Sequence, residues 1–78
     1  MTTKEQVLEI FQKVAPASDL SEKTDIIEGG YINSFELMDL IASLNETFGI
    51  EVDLDDMTPE NFNSADAVAA LVEKLKNR

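Results

Sequence analysis

The sequence contains no cysteine and no histidine, and each absence removes a class of chemistry. Without cysteine there is no disulfide to staple the fold and no thiolate to hold a metal. Without histidine there is no imidazole base, so Ser-His-Asp triads, Cys-His dyads and Cys/His zinc sites are excluded. Positive charge is scarce as well: 6 Lys and Arg stand against 16 Asp and Glu, a formal net charge of -10. A surface of that sign repels polyanions, so nucleic acid and anionic membranes are poor partners, whereas basic protein surfaces are natural ones. No apolar run approaches the roughly 20 residues that cross a bilayer. Met1-Thr2-Thr3-Lys4-Glu5 leads straight into an amphipathic pattern without the apolar run of a signal peptide. A cytoplasmic monomer without a transmembrane segment is expected.

What is present fits one small helical domain over residues 1–78, with 44% hydrophobic residues to build a thin core. Val7, Ile10, Phe11 and Val14 fall on one face of a helix from about Lys4 to Val14. Thr2 with Glu5, or Thr3 with Gln6, can box its start, and Pro16 ends it. Residues 15 to 33 form a long connection rich in turn formers, with Leu20, Ile26 and Ile27 as apolar anchors. A loop of that length in so small a domain is often functional. A second helix should run from Asn33 or Ser34 to Phe48, capped by Asn33 with Glu36 at one end and Gly49 at the other. Leu37, Ile41, Leu44 and Phe48 make its apolar stripe, with Met38 and Leu40 widening it, and this helix is expected at the centre of the core. Ile50, Val52 and Leu54 read as an extended linker. Thr58-Pro59 opens a short turn through Phe62, with Thr58 as N-cap. Ser64 caps a last helix in which Val68, Leu71, Val72 and Leu75 share a face. Asp66 near its start and Lys74, Lys76 and Arg78 near its end match the macrodipole. The fold class predicted is all-α: a small four-helix bundle of three main helices and one short one, with a long first loop.

The charge is segregated. No basic residue lies between Lys23 and Lys74, an interval that holds 12 of the 16 acids. Such a stretch is either a solvated surface that aids solubility or an electrostatic docking face for basic enzymes. The acids starting at Asp53 superficially resemble a calcium-binding loop, but the sixth position is Thr58 instead of Gly and the twelfth is Ser64 instead of Glu. Asn45-Glu46-Thr47 fits a glycosylation pattern, yet it lies mid-helix in a chain without a secretion signal.

Ser34 follows Gly29-Gly30-Tyr31-Ile32-Asn33 at the mouth of the second helix. A phosphate on its oxygen would meet free backbone N–H groups and the positive end of the helix dipole. A plain N-cap is the competing role for a serine at such a place. The stretch Gly30-Tyr31-Ile32-Asn33-Ser34-Phe35-Glu36-Leu37 resembles the phosphopantetheine attachment motif of acyl carrier proteins, Gly-x-x-Asp-Ser-Leu/Phe. The resemblance extends over nearly the whole chain, including the long first loop, the acidic second helix ending Phe48-Gly49-Ile50 and the Ala-Val-Ala-Ala-Leu-Val last helix. It implies a four-helix bundle carrying 4'-phosphopantetheine on Ser34, whose terminal thiol holds its cargo as a thioester. Two positions depart from the usual pattern: Asn33 stands for the aspartate, and Phe35 for the leucine. Phe35 followed by Glu36-Leu37 is also similar to the D-alanyl carrier proteins of cell-wall modification.

The resemblance implies a carrier that shuttles acyl intermediates between enzymes, as in fatty acid or polyketide biosynthesis, with a D-alanyl or other aminoacyl carrier as the alternative. A non-carrier acidic interaction module, with Ser34 only a cap, is the reading from a different class. An enzyme is not expected, because the acids and a serine without a base partner compose no catalytic set. The expected partners are a phosphopantetheinyl transferase and loading and acyl-transfer enzymes with basic docking surfaces. Glu36, Asp39 and Glu46 are the candidate docking acids, with Phe35 and Met38 supplying apolar contact. No metal site is expected.

Overall fold

The computed structural model describes residues 2–77, and all regular structure among them is helical. Helix α1 spans Thr3–Val14, α2 Ser34–Phe48, α3 Pro59–Phe62 and α4 Ala65–Lys76, with a single 3-10 turn at Leu54–Asp56 before α3. This is the expected bundle of three main helices and one short one. Arg78, expected to complement the dipole of α4, lies outside the described residues.

Each long helix starts where its sequence supplies a cap. Thr2 accepts the Glu5 N–H at 3.1 Å while Glu5 accepts the Thr2 N–H at 2.9 Å, a reciprocal box at the head of α1. Asn33 and Glu36 do the same for α2, at 2.8 and 2.9 Å. Ser64 accepts the Ala67 N–H at 3.0 Å to open α4. Gly49 closes α2 in the left-handed conformation, φ 64° and ψ 37°, where a side chain would be strained. Thr58 precedes α3, but its side chain makes no capping bond; Pro59 at the first helical position starts that turn through its fixed φ.

The core forms around α1 and α4. Val7, Ile10 and Phe11 of α1 and Val68, Leu71, Val72 and Leu75 of α4 are buried against one another and against Leu40, Ile41 and Leu44 of α2. Phe62 on α3 and Leu20 and Ile26 from the first loop complete it. Helix α1 has its broadest contact with α4, and α2 leans mainly on α1. The expectation that α2 lies at the centre is therefore corrected. Its high apolar content is split between two faces, and only one of them is inward. Met38 is 58% exposed and does not widen the core stripe, because it follows Leu37 by one position and so turns about 100° around the helix from it.

Polar ties join α1 to α4 at their surface. Lys4 pairs with Asp66 at 3.0 Å, and Thr3 donates its hydroxyl proton to Glu73, which also meets Lys76 at 3.5 Å. The Thr3 hydroxyl, and then the Lys76 charge, hold the Glu73 carboxyl below its ordinary range. Both ion pairs draw on the few lysines at the chain ends. Neither pair involves Glu36, Asp39 or Glu46, the acids of α2. Asp56 is turned inward, only 5% exposed, and its Oδ2 accepts the Asp53 N–H. Glu51, Asp53 and Asp55 stay at the surface.

Repulsion among these exposed acids should weaken with screening, since the Debye length falls from about 30 Å at 0.01 M salt to about 8 Å at 0.15 M. The melting temperature is expected to rise over that range. Millimolar Mg²⁺ or Ca²⁺ at matched ionic strength should raise it further by bridging surface carboxylates. Melting curves with and without divalent ion check this, and a flat or falling response would show that the acids are not under mutual strain.

Candidate functional site

The site is built where the first loop meets α2. Ser34 is the first residue inside α2, one position past the cap, and it is exposed. The capping duty belongs to Asn33, so the competing role for the serine is already filled. Among the described residues the Ser34 hydroxyl makes no hydrogen bond. A helix start leaves four N–H groups without intrahelical partners. Here the Asn33–Glu36 box satisfies those of Asn33 and Glu36, and the N–H groups of Ser34 and Phe35 stay open. An exposed hydroxyl beside two open amides at a positive dipole end suits a covalently attached phosphoryl group.

The loop that delivers Ser34 is folded tightly. Gly29 N–H donates to the Asp25 carbonyl at 2.6 Å, Gly30 N–H to Ile27 at 3.2 Å, and Tyr31 N–H to Ile26 at 3.0 Å. Gly29 has no room for a side chain: a Cβ there would stand 2.7 Å from the Asp25 carbonyl oxygen. Lys23 lies over the Tyr31 ring, 4.5 Å from its centre, a contact worth about 0.5–1 kcal/mol at an exposed site.

The turn is also tied to the far side of the bundle. Asn63, between α3 and α4, accepts the Ile26 N–H on its main-chain oxygen at 2.9 Å. Its side-chain Oδ1 accepts the Ile27 and Glu28 N–H groups at 2.9 and 3.1 Å, and its Nδ2 donates to Glu28 Oε1 at 2.7 Å. Sequence reasoning passed over Asn63, which reads as an ordinary polar residue before a helix cap. Asn45 is a second unmarked peg. Its Oδ1 accepts the Val52 N–H at 3.0 Å and its carbonyl the Ile50 N–H at 3.2 Å, so its side chain holds the linker after α2.

The remaining candidate residues sort by helix geometry. Phe35, Met38, Asp39, Ala42 and Glu46 recur at helical spacing and are all exposed, opposite the buried Leu40, Ile41 and Leu44. Phe35 is 84% exposed, which is unusual for so large an apolar side chain. Glu36 sits to one side of this stripe, half-buried, with Oε1 engaged by the Asn33 N–H. It is thus a structural cap as well as a surface charge. Leu54, 84% exposed in the 3-10 turn, is a further solvent-facing apolar residue that sequence periodicity had placed in the linker without a role. No group of three or more acids among the described residues is arranged to hold a metal ion, and no described helix is long and apolar enough to cross a membrane.

Comparison with known proteins bears on this geometry. A family model described as "Phosphopantetheine attachment site" matches residues 5–72. A D-alanyl carrier protein of Lactobacillus acidophilus is 32% identical over 79 aligned positions, covering 99% of each chain. D-alanyl carrier proteins of Lactococcus lactis, 30% identical over 95% of this chain and 96% of the relative, and of Streptococcus equi subsp. zooepidemicus, 27% identical over 99% of each, are similar along their whole length. The chain belongs to the phosphopantetheine attachment family, and it is a carrier protein for covalently held 4'-phosphopantetheine.

Proposed function

We propose that residues 1–78 form a single carrier domain in which Ser34 is the attachment residue and the cargo is a D-alanyl or other aminoacyl group. The observation that carries the first part is the exposed Ser34 hydroxyl, relieved of capping by Asn33 and flanked by the open N–H groups of Ser34 and Phe35. When attached, 4'-phosphopantetheine supplies the thiol that binds cargo as a thioester, which is why the chain needs no cysteine. The open amides of Ser34 and Phe35 would hold the phosphoryl end, and the helix dipole would favour its negative charge. The names of the relatives, each a D-alanyl carrier protein, support an aminoacyl cargo over the fatty acyl or polyketide cargo that the acyl carrier resemblance first implied. The chain itself catalyses nothing in this reading. It works as a cytoplasmic monomer among a phosphopantetheinyl transferase, an ATP-dependent loading ligase and an acyl-transfer enzyme.

Docking is assigned to the outward stripe of α2. Asp39 and Glu46 supply charge that no lysine of this chain neutralises, Phe35 and Met38 supply apolar contact beside Ser34, and Glu36 contributes one free carboxylate oxygen.

Mass spectrometry after coexpression with a phosphopantetheinyl transferase tests the attachment. The wild-type chain is expected to gain the group and Ser34→Ala to gain nothing, with stability unchanged to within about 0.5 kcal/mol because an exposed, unbonded hydroxyl is lost. Asn33→Ala should do the reverse, losing about 0.5–2 kcal/mol of cap while keeping the acceptor. Modification of the alanine variant at Ser34 would sink the assignment. Loading the modified protein with purified ligases and labelled D-alanine, against fatty acyl substrates, decides the cargo.

Charge reversal separates docking from capping. Asp39→Lys and Glu46→Lys should slow association with partner enzymes about tenfold at low salt and flatten its salt dependence. Glu36→Gln, which keeps the bond to the Asn33 N–H, should leave the melting temperature nearly intact while slowing association less. Rates that are equal for all variants at low and high salt would remove the docking role.

A further inference from the structure

The polar ties at the site share one anchor that lies outside the attachment motif. Asn63 is separated from Ile27 by 36 positions, yet it binds three successive residues of the serine-bearing loop through its carbonyl and both ends of its side-chain amide. The orientation of that amide is fixed by chemistry. Oδ1 faces two N–H donors and Nδ2 faces a carboxylate, so the flipped amide would oppose donor to donor and acceptor to acceptor. Serine, threonine or alanine in its place would satisfy at most part of the set.

What this anchor controls follows from the next residues. Ile26 and Ile27, whose amides bind Asn63, offer their own carbonyls to Tyr31 and Gly30. Gly30 and Tyr31 are therefore hung from residues that Asn63 holds. Only Ile32 stands between Tyr31 and the Asn33 cap, and Gly29, bonded to Asp25, has no room for a side chain. Release of residues 26–28 would free the polar backbone of the approach to α2, leaving the buried Ile26 and the half-buried Ile27 and Ile32 side chains as its apolar anchors.

We propose that Asn63 is a positioning residue for Ser34: from the α3–α4 junction it sets the loop that presents the serine to the transferase. The proposal rests on Ser34 being the attachment residue. Asn63 touches neither the reacting oxygen nor the docking stripe of α2. Its loss should therefore reduce kcat for attachment and leave KM close to the wild-type value.

Three variants test this in the full chain. Asn63→Ala removes the side-chain bonds. Asn63→Asp keeps the two acceptors but sets a carboxylate against Glu28. Asn63→Asp combined with Glu28→Gln restores a donor on the other side, so that the Gln amide donates to the Asp carboxylate. Amide hydrogen exchange at residues 26–31 is expected to speed at least tenfold in the two single variants, while exchange in α1 and α4 changes little. The kcat for phosphopantetheine attachment should fall about tenfold in both and recover to within about threefold in the double variant, a coupling that independent sites do not give. Faster exchange with unchanged kcat, or a double variant no better than Asn63→Asp, overturns the proposal and leaves Ser34 as the acceptor. A wild-type chain that takes no group at Ser34 overturns the reading beneath it, and the positioning role with it.

Discussion

Nineteen residues of irregular backbone, from 15 to 33, must be held in a chain with no cysteine to form a disulfide across them. Their amides cannot all pair with one another, and a buried or half-buried N–H without a partner costs about 1–3 kcal/mol. The bonds between Asn63 and residues 26–28 meet that requirement at the point of greatest need, where Ile26 is driven fully into the core and its neighbours' amides follow it inward. Hydrophobic burial of Ile26 and hydrogen bonding to Asn63 are thus one device. Without the side chain in the core the loop would not reach Asn63, and without Asn63 the buried isoleucine would carry unpaired amides with it.

The same economy governs the start of α2. A helix N-terminus has four donors to satisfy, and a serine in the cap would have its hydroxyl occupied by one of them. Placing asparagine in the cap and glutamate at the third helical position moves that work to neighbours and leaves the serine oxygen outward. Asparagine does this as well as aspartate would, so the replacement of the usual acid by Asn33 leaves the fold intact and changes only the charge presented beside Ser34.

Much of this was legible in the sequence because it depends on local rules. The caps at Thr2, Asn33 and Ser64, the left-handed Gly49 and the buried stripes of α1 and α4 each follow from a few adjacent residues, and the helix bounds agree closely. The motif around Ser34 was legible for the same reason. What periodicity missed depends on residues far apart in the chain. Met38 looks like a core residue until the direction of α2 against α1 decides which of its two apolar faces is inward. Asn63 and Asn45 carry no local signal, since an asparagine reaching backbone amides across a fold leaves the same letter as one facing water. Leu54 is the converse: it alternates correctly with acids, yet the 3-10 turn points it into solvent.

The exposed apolar residues gain meaning from what surrounds them. An outward phenylalanine is a solubility liability on most small domains, and here Phe35 and Met38 lie on a helix face whose other prominent side chains are Asp39 and Glu46. Acid placed around apolar residues discourages association between two copies of this chain, because both faces carry the same sign. It leaves association with a basic surface favourable, and the apolar residues then add contact that water had covered. Lys4 and Lys76 pair with Asp66 and Glu73, and Lys23 is drawn to the Tyr31 ring, away from the acids of the stripe. A carrier that must meet several enzymes in turn needs contacts that form quickly and release, and long-range charge with a small apolar centre has that character.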